Sequence, residues 1–480
     1  MSAPPSHCAR FPTELWENVF LGLTPQEILP LRLLNCEFRD LIDRSPAIQY
    51  RIDLCSSEVE EGNMDALTPL DHRRKLLKSY CSRWNRFDQA EQKPFMQPPA
   101  GDMALATGFG YITYNTRSGP GTENVHLVRI PSGSNGVSQK EWVIHGISGG
   151  ACDQHAIHPP SSLLAILQIV DEGRSFQIHL LHMEDVIPHR EPINPIITGP
   201  RFPSDTHIVE GELQLTGCRL AAKVVLRELL VRSEHLFVWD WKTGEKCMEI
   251  LGSRCLRTQF IDEYRLLTAV ANWVTIPQLW DTTVPAEARN APPIEFGLGR
   301  DYVINANLGN PFYFNLGSSY DALFHEDVSR QLVGIHVISR SHSGRCSTLL
   351  VIRYGDLMEV ACQIEKKSWI EWDTWRNFII PMDFKPGVRE FGLLRSHLLV
   401  TYEGLKDSGT LLHVYDFTVR SRRQQARDKP GSNPLPPYMS QEFPLSAGGG
   451  PLSDFRFMED SILASVGSVD GSASLWLWTV

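Results

Sequence analysis

Between residues 11 and 45 apolar positions recur every three to four residues. In FPTELWENVFLGL, Leu15, Trp16, Val19, Phe20 and Leu23 form one stripe with Glu14, Glu17 and Asn18 opposite, which predicts an amphipathic helix. Thr24-Pro25-Gln26-Glu27 supplies an N-cap, a proline at the first helical position and a glutamate three residues after the cap, so a second helix opens there on a capping box. Asn35 caps a third, CEFRDLIDR, around which Leu34, Phe38, Leu41 and Ile42 repeat at helical spacing. Ser45-Pro46 ends it, because the residue before a proline is steered out of the α region. Pro30 falls inside the second helix, where the lost backbone hydrogen bond costs about 3 kcal/mol unless the helix kinks or starts later. None of the three reaches the ~12 to 15 residues that make an isolated helix marginal in water, so packing must hold them. Each large side chain covered contributes ~1.5 to 3 kcal/mol. Three helices this short cannot cover all of theirs, and apolar surface left wet favours association.

The helical period returns once more. After the acidic, polar stretch Ser56 to Asp65, LDHRRKLLKSYCSRWNRFD predicts one helix with Leu70, Leu77, Tyr80, Trp84 and Phe87 near one side. Its basic residues read as a solvated face. Gln92 to Gly101, with three prolines, reads as a break. From about 95 onward short runs rich in Val, Ile, Leu, Tyr and Trp alternate with Gly, Pro, Asn, Asp and Ser clusters, the pattern of a β-region.

That region carries degenerate internal repeats. The clearest unit is HLFVWDWKTGEKCMEIL, a strand ending in Trp239-Asp240, a turn at Lys242-Thr243-Gly244, and another strand. QLWDTT repeats the ending at Trp280-Asp281, HVYDFTV has Tyr415-Asp416, and SLWLWTV has Trp478-Thr479. VHLVRI (125–130), FQIHLLHM (176–183) and TLLVIRY (348–354) are strands of the same kind without the dipeptide. Seven units between 95 and 480 average about 55 residues, longer than the ~40 to 45 of a standard repeat of this class, so six or eight units are the alternatives. A two-sheet sandwich is the rival architecture.

Composition narrows the function. The 35 Gly and 32 Pro suit many turns, and 46 basic against 56 acidic side chains give a net charge of −10, which repels phosphate backbones and gives no general case for nucleic acid. No run approaches the ~18 apolar residues of a membrane span, and MSAPPSHCARF has no basic region followed by an apolar one. Ten cysteines with no CxxC pair, and no Asn-x-Ser/Thr sequon, fit a reducing cytosol or nucleus with the thiols mostly buried. Gly146-Ile147-Ser148-Gly149-Gly150 matches GxSxG, but a nucleophile elbow needs a helix after it and ACDQHAIHPPSS is none, so an inter-strand loop is expected. His155 and His158, like His179 and His182, stand three apart in strands and point to opposite faces, so no metal site is indicated. GxxxxGK[ST] and GxGxxG are absent, so no cofactor or catalytic residue is expected. The GGG at 448–450 reads as a flexible turn, and RSRRQQARDKPGSNPLPP (420–437) as a mobile loop.

Two resemblances follow from these residues. Phe11-Pro12, Glu14-Leu15, Val19-Phe20, Leu23, Glu27-Ile28-Leu29, Leu31-Arg32, Leu34, Phe38, Leu41-Ile42 and Ser45-Pro46 resemble the F-box over about residues 10–54. The F-box resemblance implies docking onto a Skp-type adaptor and, through it, a cullin, with Pro12, Leu15, Phe20, Leu23, Ile28, Leu31 and Phe38 on the adaptor face or packed directly beneath it. The Trp-Asp units resemble the WD-repeat, which implies a β-propeller over 95–480, its aromatics packed between neighbouring sheets. If the chain stops on a third strand, the strand completing the last sheet should come from near 100–118, which removes an exposed edge. With a helical connector at 55–94, the whole looks like a group of fungal F-box proteins. The expected function is a non-catalytic substrate receptor of a Skp-cullin-F-box ubiquitin ligase that binds an unidentified target protein. The alternatives are a propeller scaffold for protein assembly unconnected with ubiquitin, its helices an intramolecular cap, and a propeller enzyme working in the central channel.

Overall fold

The computed structural model describes residues 11–62, 64, 67–82, 91–96, 106–108, 110–119, 122–131, 138–148, 152–228, 231–253, 256–271, 275–283, 293–298, 302–304, 312–313, 324–326, 328–341, 344–362, 369–384, 388–395, 398–404, 410–417, 438–445, 452–457, 461–467 and 473–479. The fold is mainly β with helices at its N-terminal end.

The first elements among the described residues are four helices: α1 (Thr13–Leu21), α2 (Pro25–Leu31), α3 (Cys36–Arg44) and α4 (Pro46–Ser56). The caps are those the sequence spells out. Thr24 N–H donates to Glu27 Oε2 at 2.8 Å, completing the capping box of α2 with the Glu27 N–H and Thr24 hydroxyl. Phe38 N–H donates to Asn35 Oδ1 at 2.7 Å at the start of α3. Pro30 falls in the last turn of α2, which ends one residue later. The fourth helix is a departure from expectation. Ser45-Pro46 does end α3, but it also starts α4: Ile48 N–H donates to Ser45 Oγ at 3.2 Å and Pro46 takes the first helical position, where no N–H is needed. Phe20, Ile28, Ile42 and Ile48 form the core of this bundle.

A connector follows: the strand Val59–Glu61, then α5 (Leu70–Ser82). Tyr50 of α4, Val59, and Leu77 and Tyr80 of α5 make a second small core. Of the predicted apolar side, Trp84 and Phe87 lie outside the described residues.

Among the described residues seven sheets come next, built from antiparallel neighbouring strands apart from one added parallel strand. In chain order the first has Ala106–Gly108, Tyr111–Gly119, Thr122–Arg129 and Lys140–Ser148, the second Cys152–His158, Leu163–Val170, Ser175–His182 and Ile196–Thr198, and the third Thr206–Thr216, Arg219–Glu228, Val231–Asp240 and Lys246–Ser253. The fourth has Leu256–Phe260, Arg265–Ala271, Thr275–Asp281 and Ile294–Phe296, with Trp369–Ile370 added in parallel at its edge. The fifth has Tyr302–Ile304, Leu332–Ser341, Gly344–Arg353 and Ile380–Phe384, with the short strand Phe312–Tyr313 also paired to Leu332–Ser341, and the sixth Val388–Arg395, Leu398–Gly404, Thr410–Asp416 and Met439–Leu445. The seventh has Leu452–Phe457, Ser461–Gly467 and Ala473–Thr479, and its fourth strand is Glu91–Met96 from the other end of the chain. Every repeat recognised in the sequence is the third strand of its sheet.

This pattern of successive four-stranded meanders is that of a β-propeller. The second strands Leu163–Val170 and Arg219–Glu228 are buried on both faces over most of their length, as strands between two sheets must be. Shared cores join the first sheet to the second, the second to the third, the third to the fourth, the fourth to the fifth, and the fifth to the sixth. Ile112, Tyr114 and Val128 of the first sheet pack with Leu463, Leu475 and Leu477 of the seventh.

Three expectations need correction. Glu91–Met96 is a strand, not a break, because Pro94 stands on the outermost strand, where a missing N–H is tolerated. It, and not 100–118, completes the last sheet; residues 106–119 supply the first two strands of the first sheet. Among the six cysteines whose burial is described the thiols are not mostly buried: Cys36 and Cys362 are exposed, Cys55, Cys81 and Cys218 half-buried, and Cys247 buried.

Candidate partner-docking surface

The bundle of α1 to α4 is too small to bury the apolar stripe of α1 on all sides. Phe20 turns inward onto Ile28, Ile42 and Ile48, with Phe38 edge-on to it at 5.2 Å between ring centroids and Trp16 at 5.0 Å from Phe38. What remains outside is a ridge one side chain wide: Phe11, Leu15 and Val19, four residues apart, are 59%, 50% and 52% exposed. Phe11 leans edge-on against Trp16 at 5.7 Å, which fixes the ridge to the core beneath. In the turn from α2 to α3, Leu33 and Leu34 are 89% and 67% exposed.

The seven residues singled out from the sequence therefore divide. Pro12, the N-cap of α1, is exposed beside the ridge, and Leu15 is exposed on it. Phe20 and Ile28 are fully buried, while Leu23, Leu31 and Phe38 are half-buried against them, so these five form the packing beneath. Phe11, Val19, Leu33 and Leu34 were missing from that set. The run Leu31-Arg32-Leu33-Leu34 holds the signal for the last two, since three leucines in four positions cannot all face one small core.

In the sheets the recurring Trp-Asp pair has a local cause. Asp240 closes the third-to-fourth-strand turn by accepting N–H bonds from Lys242 at 3.0 Å and Thr243 at 3.1 Å while pairing with Arg219. Asp281 accepts likewise from Thr283 N–H at 2.8 Å. Trp239 packs against Phe176 of the second sheet, and Tyr415 against Phe384 of the fifth, so the aromatics do sit between neighbouring sheets.

Ser148 is the last residue of a strand, paired with Thr122, not part of a loop, and the next element described is the strand Cys152–His158. Gly149, Gly150, the GGG at 448–450 and the stretch 420–437 lie outside the described residues. His155 is deeply buried, which pushes its pKa down to about 4. His158 is lowered by burial as well; its Nε2 accepts the Gly217 N–H at 3.2 Å. His179 meets Gln168 Oε1 at 2.8 Å. Among the described residues no group of three His, Cys, Asp or Glu side chains is placed to hold a metal ion, and no helix is long and apolar enough to cross a membrane.

No protein-family model and no curated protein matches the chain. Among solved structures it is similar to the β-propeller domain of the Trilobed protease from Pyrococcus furiosus, at 9% identity and a TM-score of 0.43, over 79% of this chain and 94% of that one. It is also similar to BamB from Moraxella catarrhalis, at 11% identity and a TM-score of 0.36, over 80% and 99%. A third is the acylaminoacyl peptidase of Pyrococcus horikoshii, at 10% identity and a TM-score of 0.41, over 78% and 51%. Likeness at this level bears on none of the chain's chemistry.

Proposed function

We propose that the chain is a non-catalytic substrate receptor in which α1 to α4, as an F-box, dock a Skp-type adaptor and through it a cullin, while the β-body holds a target protein. One observation carries the reading: the ridge Phe11, Leu15 and Val19 stays bare although the helices already have a core of their own. Three side chains about half uncovered cost several kcal/mol of unrealised burial, and a partner surface recovers it. The same observation weighs against the helices being only an intramolecular cap, since a cap would bury its ridge on the sheets.

The β-body fits the second half of the role. We infer that the seven sheets close into a ring around a channel. The shared core of first and seventh sheets, and the N-terminal strand in the seventh, support closure. Rigid rings with variable connecting loops suit recognition of protein targets, with the transfer chemistry left to other subunits.

Co-purification tests the reading. Wild-type chain co-expressed with a Skp-type adaptor co-elutes with it on size exclusion. Leu15→Asp with Val19→Asp abolishes co-elution and leaves the melting of the β-body unchanged. Failure of the wild type to co-elute overturns the proposal.

A further inference from the structure

The carboxylate of Glu58, 1% exposed, is gripped at both oxygens by Arg353: Nη1 to Oε2 at 2.9 Å and Nη2 to Oε1 at 3.0 Å. The two residues belong to different halves of the molecule. Glu58 follows α4, and Arg353 ends the third strand of the fifth sheet. The guanidinium also donates to the carbonyls of Arg330 at 3.2 Å and Phe417 at 3.1 Å, so it is tied into both the fifth and the sixth sheets. The next residue, Tyr354, accepts from Arg265 Nη1 at 2.9 Å and donates to Asp262, which braces the same point against the fourth sheet. Immediately after Glu58, Val59–Glu61 pairs antiparallel with Phe324–Glu326 of the β-body.

Glu58 holds this place against its own backbone preference. Its φ is +57°, in the left-handed region, at a helix end where glycine or asparagine is the ordinary occupant. Glycine, with no Cβ, would relax the turn, but it would supply no carboxylate to Arg353. A strained backbone that carries a buried, doubly hydrogen-bonded ion pair marks a position set by something other than the turn itself.

We propose that Glu58 and Arg353 form a latch that fixes the helical module on the fifth and sixth sheets, making helices and β-body one rigid unit with the α1 ridge at a set orientation to the ring. The latch stands apart from the adaptor reading, since it uses neither the ridge nor α1. Breaking a buried pair on one side strands the other charge, which corresponds to roughly a hundredfold or more in an opening equilibrium.

Hydrogen exchange on the full chain reads that opening. Glu58→Gly is the decisive variant, because it eases the left-handed turn while removing the side chain that carries the carboxylate; Arg353→Lys keeps the charge and loses the second hydrogen bond. The amides of Val59–Glu61 and Phe324–Glu326 are expected to exchange about a hundredfold faster in Glu58→Gly and by a lesser factor in Arg353→Lys, with Arg219–Glu228 unmoved. Exchange at Val59–Glu61 equal to wild type in Glu58→Gly overturns the latch. So does an equal rise in Arg219–Glu228, which would make the pair a prop of the whole fold.

Discussion

Pro94 lies directly opposite Trp476 in the ladder that joins Glu91–Met96 to Ala473–Thr479. The two ends of the β-region are thus hydrogen-bonded into a single sheet, and the proline stands on its outermost strand. A chain starting at residue 98 loses that strand and bares the edge of Ala473–Thr479, which holds Leu475, Trp476, Leu477 and Trp478. It is expected to elute as soluble aggregate and to melt well below a chain starting at residue 90, which keeps the strand; both lack the helices, so the strand alone separates them. Equal melting of the two by circular dichroism refutes it.

Ridge and core of the helical bundle separate in stability. Phe20→Ala or Ile28→Ala empties part of the four-residue core and is expected to destabilise the helices by about 2 to 5 kcal/mol. Leu15→Asp and Val19→Asp, on the exposed side of the same helix, are expected to stay within ~0.5 kcal/mol of wild type. Urea titration followed at the helical band checks both, and a large loss from either ridge variant shows that the ridge is packed in solution.

Acid is expected to unfold the β-body early. Burial holds His155 at about 4, against 6.5 for a free imidazole, and pushes His158, His179, His235 and His336 down in the same direction. Between those values the unfolded chain binds more protons than the folded one, so stability falls as pH falls. The contribution is whole above about 6.5 and is lost on the way down to about 4, His155 alone amounting to about 3 kcal/mol. Urea midpoints measured from pH 7.5 to 4.5 should drop steadily, and His155→Gln should flatten the slope; a flat wild-type profile rules the account out.

What the sequence disclosed and what it hid follow from the range of the interactions. The caps Thr24 and Asn35 act on amides three residues away, and Asp240 and Asp281 close turns within three residues, so these features are written locally. Ser45-Pro46 carries two local meanings, an end for one helix and a start for the next, and only the second is decided by what Ile48 packs against. The stripe of α1 names a face but not its split: Leu15 and Phe20 are equally apolar, and α3 and α4 determine which is covered. Glu58 and Arg353 are 295 positions apart, and no pattern in either neighbourhood announces the other. Trp369–Ile370 joins the fourth sheet by a parallel pairing outside the meander, which the repeat could not foretell.

The junction of second and third sheets offers the sharpest test of packing. Gly199 follows the fourth strand of the second sheet and donates its N–H to the Phe176 carbonyl at 2.9 Å. A Cβ placed there would sit 2.3 Å from two ring carbons of Phe176, itself fully buried against Phe237 and Trp239. The ring has no room to retreat, so Gly199→Ala is expected to cost about 1 to 3 kcal/mol by overpacking. Gly244, with φ at +76° and open space around it, gives the contrasting case, where alanine costs about 1 to 2 kcal/mol through backbone strain alone. Phe176→Leu should therefore rescue part of the loss in Gly199→Ala and none of that in Gly244→Ala. A double-mutant cycle on urea midpoints reads the coupling, and a coupling of zero at Gly199 would mean that strand and ring move apart freely and that the core between these sheets is loosely packed.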